Sequence, residues 1–178
     1  LDILVVDSLD PFGGGKLLPR GGLRERPSCA ARSHLIFLTR TDQVSPANLR
    51  ELKSRLTDLS EGQPIVETVH RPTYLRALGN KQRYELEWLR GKKINAFCGL
   101  GNPEGFRRTL ESLGAKILLF RAFPDHHAYS ENDTRRLNLE AQEFMPDCLV
   151  TTEKDALKLH REDFERPILI LRVEIEIT

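Results

Sequence analysis

The residues best equipped for chemistry lie together at Phe123-Pro124-Asp125-His126-His127. An aspartate beside two histidines offers carboxylate and imidazole, both common metal ligands. Adjacent residues on an extended chain point to opposite sides, however, and no third ligand follows nearby in sequence. One histidine working with a carboxylate supplied from elsewhere is the better reading. Imidazole titrates near neutrality, which suits proton handling or charge stabilisation during a group transfer. Solvent-facing or capping histidines are the plain alternative.

Other segments are suggestive in type and incomplete in spacing. Gly13-Gly14-Gly15-Lys16 resembles a phosphate cradle, but a P-loop needs Gly, four residues, then Gly-Lys-Ser/Thr. Here Leu17 follows the lysine and the first glycine is missing, so a functional turn is expected. Cys98-Gly99-Leu100-Gly101-Asn102-Pro103-Glu104-Gly105 places its third glycine one position late for a dinucleotide fingerprint, and Pro103 removes an N–H. A tight strand-to-helix turn accounts for it, with anion or substrate contact at the helix N-terminus as the alternative. In Thr151-Thr152-Glu153-Lys154-Asp155 the lysine and aspartate are adjacent, whereas base-recognition loops separate them by one residue. Thr152 as an N-cap with acids in the first turn explains that segment. Arg20, Arg24, Arg26 and Arg32 surround the glycine loop. They read as a solvated surface, although the arginine fork also suits phosphates and anionic headgroups.

Positioning these groups falls to alternating strands and helices. Strand-like runs occupy 1–7, 35–39, 64–69, 93–98, 116–120, 148–152 and 167–177. Most are continuous apolar runs, as expected where both faces of a parallel sheet are covered. Ser45-Pro46 and Asn102-Pro103 each read as an N-cap followed by proline at the first helical position. Leu49, Leu52, Leu56 and Leu59 form one helical stripe; Phe106, Leu110 and Leu113 form another, stopped at Gly114. Ser130 and Asp133 suggest a capping box for a helix ending before Pro146. Residues 10–28 are too rich in Gly and Pro for regular structure, and 70–83 read as a basic irregular connection running into a helix with Leu86 and Leu89. Such alternation predicts an α/β fold, with the Asp125-His126 segment at the carboxyl edge of a sheet, where open α/β folds place ligands.

Composition narrows the function classes. With 178 residues, 39% apolar and 30% charged, the chain can bury a core and is not of the disordered class. A formal charge of +1 and 7% aromatics offer no basis for nucleic-acid binding. The three cysteines, Cys29, Cys98 and Cys148, are too far apart for a zinc pattern or a disulfide framework, which suits a reducing compartment. No apolar run reaches the roughly 18 residues of a membrane span. The chain opens on Leu1 to Asp7, a strand with no initiator Met, and on that ground reads as a fragment.

Taken in order, these segments resemble one family. Val5-Val6-Asp7 followed by Pro11-Phe12-Gly13-Gly14-Gly15-Lys16-Leu17-Leu18-Pro19-Arg20-Gly21-Gly22-Leu23-Arg24-Glu25 is similar to the D-x-x-x-x-F-G-N-G-x-L-L-P-A-G-P-L-R-E stretch of lipid A 4′-kinases (tetraacyldisaccharide 4′-kinases). Leu89 to Phe106, Phe123 to Tyr129 and Leu149 to Ala156 resemble the later signatures of the same family, in the same order.

The resemblance implies a P-loop-NTPase-related three-layer sheet with a smaller Rossmann-like α/β domain. Residues 1–33 would end the P-loop domain, 34–125 would form the smaller domain, and 126–178 would be the hinge and return. It implies transfer of the ATP γ-phosphate to the 4′-hydroxyl of a tetraacylated glucosamine disaccharide 1-phosphate, a lipid A precursor. It further implies magnesium, and work at the cytoplasmic face of a Gram-negative inner membrane through peripheral contact. The histidine of the family's catalytic histidine–aspartate pair matches His126 rather than His127. Asp7, Gly13, Arg24, Asn102, Asp125, Thr152, Lys154 and Asp155 fall in matching motifs and are candidate substrate- or nucleotide-binding residues.

There are departures. The family's P-loop, its Gly-Asp-Glu-Pro segment and its Asp-Asp-Gly segment precede the part matched by residue 1, so the aspartate partner of His126 and the metal ligands are not expected in this chain, and this polypeptide alone is expected to be inactive. Gly14 stands where the family has asparagine. A non-catalytic α/β module binding a nucleotide or anionic sugar is the main alternative, and a dinucleotide-dependent oxidoreductase a weaker one.

Overall fold

The computed structural model describes residues 1–80 and 82–178. Residue 81, part of the expected 70–83 connection, lies outside the described residues. The chain forms two compact units, Leu1–Arg71 with Ile175–Thr178, and Pro72–Glu174.

In the first unit β1 (Ile3–Asp7), β2 (Leu35–Thr39) and the start of β3 (Ile65–Ala77) run parallel, with Val6 opposite Leu38 and Ile36 opposite Ile65. Helix α1 (Pro46–Leu59) starts where Ser45 accepts a hydrogen bond from the Asn48 amide. Its stripe buries Leu52 and Leu56 against Val6, Ile36 and Leu38. The Gly-rich segment after β1 holds only short 3-10 turns, Gly13–Gly15 and Pro27–Arg32.

The second unit orders its strands β3, β8 (Ile168–Ile177), β7 (Cys148–Thr152), β5 (Lys93–Cys98), β6 (Lys116–Ala122), with the short β4 (Arg83–Tyr84) antiparallel to β3. Strands β6, β5, β7 and β8 are parallel. Alternate residues feed two cores: Ile94, Ala96, Val150 and Leu169 on one face, Phe97, Leu149 and Ile168 on the other. Helix α2 (Pro103–Ser112) covers the first through Phe106 and Leu110, and α3 (Glu131–Phe144) the second through Leu137 and Ala141. This double covering is why the strands read as continuous apolar runs. The fold class is α/β, as the alternation implied. Both proline-marked helix starts and the Ser130–Asp133 capping box form as their sequences predict.

Two expectations differ from the structure. Residues 70–77 are strand, and Leu86–Leu89 is a 3-10 turn rather than the start of a longer helix. The basic character of 70–83 hid the strand, because its partners lie on a strand distant in sequence. Arg71 pairs with Glu176 of β8, and the Thr73 hydroxyl donates to the Arg172 carbonyl at 3.5 Å. The compact units meet in sequence at Arg71 and Pro72, and again at Glu174 and Ile175. Strand β2 pairs with β1, which joins 34–71 to the N-terminal segment, and β7 pairs with β5, which joins 126–174 to the preceding strands.

Candidate active site

Three loops leave the carboxyl ends of neighbouring parallel strands in the second unit: Gly99–Asn102 after β5, Phe123–Ser130 after β6, and Thr152 into the short α4 (Glu153–Ala156) after β7. Asp155 ties the first to the third. Its carboxylate is fully buried, and Oδ2 accepts from the Gly99 amide at 3.0 Å and the Thr152 hydroxyl at 2.7 Å. Thr152 in turn caps α4 by accepting from the Asp155 amide at 3.2 Å. Asp155 Oδ1 and the Tyr129 hydroxyl are both buried without a partner among the described residues. Burial, then the Asp155 charge, pushes the Tyr129 phenol far above its ordinary value. Burial likewise pushes the Cys98 thiol up to about 12, which disfavours the thiolate.

The middle loop is held from both sides. Lys154 Nζ donates to Asp125 Oδ1 at 2.7 Å, and the same oxygen accepts from the His126 amide at 2.9 Å. The Lys154 hydrogen bond is the main reason the Asp125 carboxyl sits below its ordinary value. His126 adopts a left-handed backbone, φ 60°, and leaves 78% of its side chain exposed, with Nε2 3.8 Å from Asp125 Oδ2. His127 faces the other way: its ring stacks on Phe123 at 4.6 Å and meets the edge of Tyr129 at 5.1 Å. Asp125 and His126 form a turn rather than the extended chain on which opposed directions were expected, and the two imidazoles have different surroundings.

Gly99 sits where all three loops converge. A β-carbon there would lie 3.0 Å from Asp155 Oδ1, 3.2 Å from the Pro124 carbonyl oxygen and 3.3 Å from His127 Cβ. Two of these neighbours are fixed by backbone or by buried hydrogen bonds, so Gly99→Ala is expected to destabilise by about 1–3 kcal/mol. Urea unfolding of the second unit checks this.

Sequence reasoning missed a second histidine–carboxylate pair. His127 Nε2 lies 3.1 Å from Asp133 Oδ2, the oxygen that also accepts from the Ser130 amide and hydroxyl. The visible signal was the aspartate in the capping box, whose short side chain stays beside the cap and within reach of the preceding loop. Lys158 Nζ, donating to the His127 carbonyl at 2.7 Å, completes the clasp. The Ser130 bonds and then His127 lower the Asp133 carboxyl to about 2. A depressed carboxylate stabilises the fold above its unfolded value, so this contribution is full above about pH 4 and is lost as pH falls toward about 2. Amide protection factors at residues 130–134 are expected to fall in that window before those of the β5–β7 core.

The candidate residues therefore divide. Asp125, His126 and Lys154 form one solvent-facing group; Thr152 and Asp155 form its internal support. Asp155 is fully buried, behind the exposed Asp125 and His126. Asn102 spends its side-chain oxygen on the Gly105 amide at 3.0 Å as the α2 cap, in keeping with the turn reading.

Asp7, Gly13 and Arg24 belong to the first unit. Asp7 pairs with Arg40 at 2.6 Å and accepts from the Leu9 amide at 3.1 Å. Nearby His70 is held below its ordinary value by burial and then by Arg40. Gly13 packs against Gly22, and Arg24 is exposed. Among the described residues no group of three or more His, Cys, Asp or Glu could hold a metal ion, and no helix is long and apolar enough to cross a membrane.

The chain is 43% identical over 159 residues to a tetraacyldisaccharide 4'-kinase of Anaeromyxobacter dehalogenans (strain 2CP-C), covering 89% of this chain and 42% of that protein. It is 38% identical over 184 residues to one from Syntrophus aciditrophicus (strain SB), covering 99% and 49% respectively. Among solved structures it matches LpxK from Aquifex aeolicus, crystallised with ATP, at 26% identity and a TM-score of 0.64, over 100% of this chain and 48% of that one. The chain thus spans about half the length of the relatives it matches. The family model described as Tetraacyldisaccharide-1-P 4'-kinase matches residues 1–178, from the glycine loop through the Asp125-His126 turn to the last strand, and the chain belongs to that family.

Proposed function

We propose that this chain is part of a kinase that transfers the ATP γ-phosphate to the 4′-hydroxyl of tetraacyldisaccharide 1-phosphate in lipid A biosynthesis, working at the cytoplasmic face of the inner membrane. The observation that carries this reading is the family match along all 178 residues. Phosphoryl transfer depends mainly on positioning and on stabilising charge at the transferring group. In this reading His126 is the catalytic group, projecting from a turn that Asp125 and Lys154 hold at the edge of the sheet. Imidazole there would take up or stabilise the proton of the attacking hydroxyl. For the magnesium this reading implies, the described residues offer no group of three or more His, Cys, Asp or Glu that could hold the ion.

The chain carries no Gly-x-x-x-x-Gly-Lys-Ser/Thr loop, so the 178-residue polypeptide by itself is expected to leave the disaccharide unphosphorylated. The reading is tested by splicing residues 1–178 in place of the matching half of the Anaeromyxobacter dehalogenans protein. ATP-dependent phosphorylation of the disaccharide by the chimera is expected. A chimera that unfolds cooperatively and binds ATP but transfers no phosphate overturns the reading in favour of a binding module.

A further inference from the structure

The glycine loop of the first unit is rigidly built to display an apolar tip. The amide of Gly22 donates to Gly13 at 2.8 Å, Leu23 to Lys16 at 3.2 Å, and Leu18 to Leu23 at 2.9 Å. Arg20 and Gly21 both donate to the Leu17 carbonyl, closing the turn at 2.9 and 3.1 Å. Gly21 is obligatory, since a β-carbon there would stand 2.3 Å from the Lys16 carbonyl oxygen. Below the tip, Phe12 lies under the Arg55 guanidinium at 3.9 Å, which fastens the loop to α1.

What this scaffold presents is Leu17 and Leu18, 40% and 61% exposed. A lone exposed leucine is ordinary; adjacent ones at the apex of a hydrogen-bonded loop are not explained by packing. Around them stand Lys16, Arg20, Arg24 and Arg26, all exposed and without a salt bridge among the described residues, while Arg32 pairs with Glu25, the one acid between 16 and 32. An apolar apex rimmed by free cations matches the boundary of an anionic bilayer, where leucines enter the acyl region and lysine and arginine heads meet phosphates.

We infer that the Lys16–Arg26 loop is a docking surface for an anionic phospholipid membrane, with Leu17 and Leu18 entering the interface and Lys16, Arg20, Arg24 and Arg26 contacting headgroup phosphates. This rests on the membrane contact included in the proposed function, and it names the surface responsible. The contact does not require catalysis, so it can be read from the chain directly.

The test is co-sedimentation of the 178-residue chain with phosphatidylethanolamine–phosphatidylglycerol vesicles and with phosphatidylcholine vesicles. Binding to the anionic vesicles alone, weakening as salt rises, is expected. L17S/L18S, which leaves every charge in place, is expected to weaken binding about tenfold. R20Q/R24Q is expected to weaken it about fivefold per cation removed and to flatten the salt dependence. Since these side chains are exposed, both variants should keep the thermal midpoint of the parent. Wild-type binding that survives L17S/L18S overturns the loop assignment and leaves membrane contact standing elsewhere. Equal binding to both vesicle types overturns the role of the cations. No binding to either, or self-association that the leucine substitutions abolish, overturns the inference, while the phosphoryl-transfer assay judges the kinase reading separately.

Discussion

His126→Gly in the chimeric kinase is expected to lower phosphoryl transfer by about a hundredfold or more while leaving the fold as stable as before or slightly more so. The two effects separate because of where the residue sits. Its backbone is left-handed, φ 60°, a conformation that strains a side-chain-bearing residue and suits glycine. Its side chain is largely exposed, and its nearest carboxylate contact, Asp125 at 3.8 Å, is too long for a hydrogen bond. Removing the imidazole therefore costs no packing, and the amide bond to Asp125 is kept. Turnover and urea unfolding measured on the same preparation check both halves. Transfer within a factor of a few of the parent would remove His126 from the mechanism. His127→Ala makes the contrast: it loses the stacking on Phe123 and the contact with Asp133, so stability is expected to fall.

The second large effect is expected at Asp155. Asp155→Ala strips the buried Gly99 amide and Thr152 hydroxyl of their acceptor, at about 1–3 kcal/mol for each unsatisfied group. Part of this is returned because the buried charge also disappears. A net loss of about 2–4 kcal/mol is expected, which for a chain of this size lowers the thermal midpoint by roughly 5–15 °C. Asp155→Asn should cost less. The amide oxygen can replace Oδ2, and the amide nitrogen would take the place of Oδ1, which has no protein donor to lose. The neighbouring ion pair supplies the functional readout. Lys154 reaches Asp125 from the first turn of α4, and Asp155 anchors that turn. Asp155→Ala should therefore also quicken amide exchange at His126, whereas Asp155→Asn should restore most of its protection. If alanine leaves exchange at His126 unchanged, Asp155 stabilises the core without positioning the loop.

Much of both units was legible along the chain because the signals are local. Proline after a capping residue, a leucine stripe at helical spacing and an uninterrupted apolar strand each depend on a few neighbouring residues. That is why Ser45-Pro46, Asn102-Pro103 and the run from Cys148 to Thr152 formed as their sequences predict. The extension of β3 through Ala77 was not legible, because Arg71 and Thr73 find their partners on β8, about a hundred residues away in sequence.

The candidate site divides along the same line. By itself the sequence determined the family, the α/β class, the turn bearing Asp125 and His126, and the capping roles of Asn102, Thr152 and Ser130, since motif order and helix starts are written in adjacent residues. Only the tertiary structure decided which carboxylate meets which partner. It turned Asp155 inward onto Gly99, set Lys154 on Asp125, and gave Asp133 to His127. Those pairings arise because parallel strands β5, β6 and β7 deliver segments far apart in sequence to one edge, and hydrogen bonding there is chosen by distance and burial, which residue order does not encode.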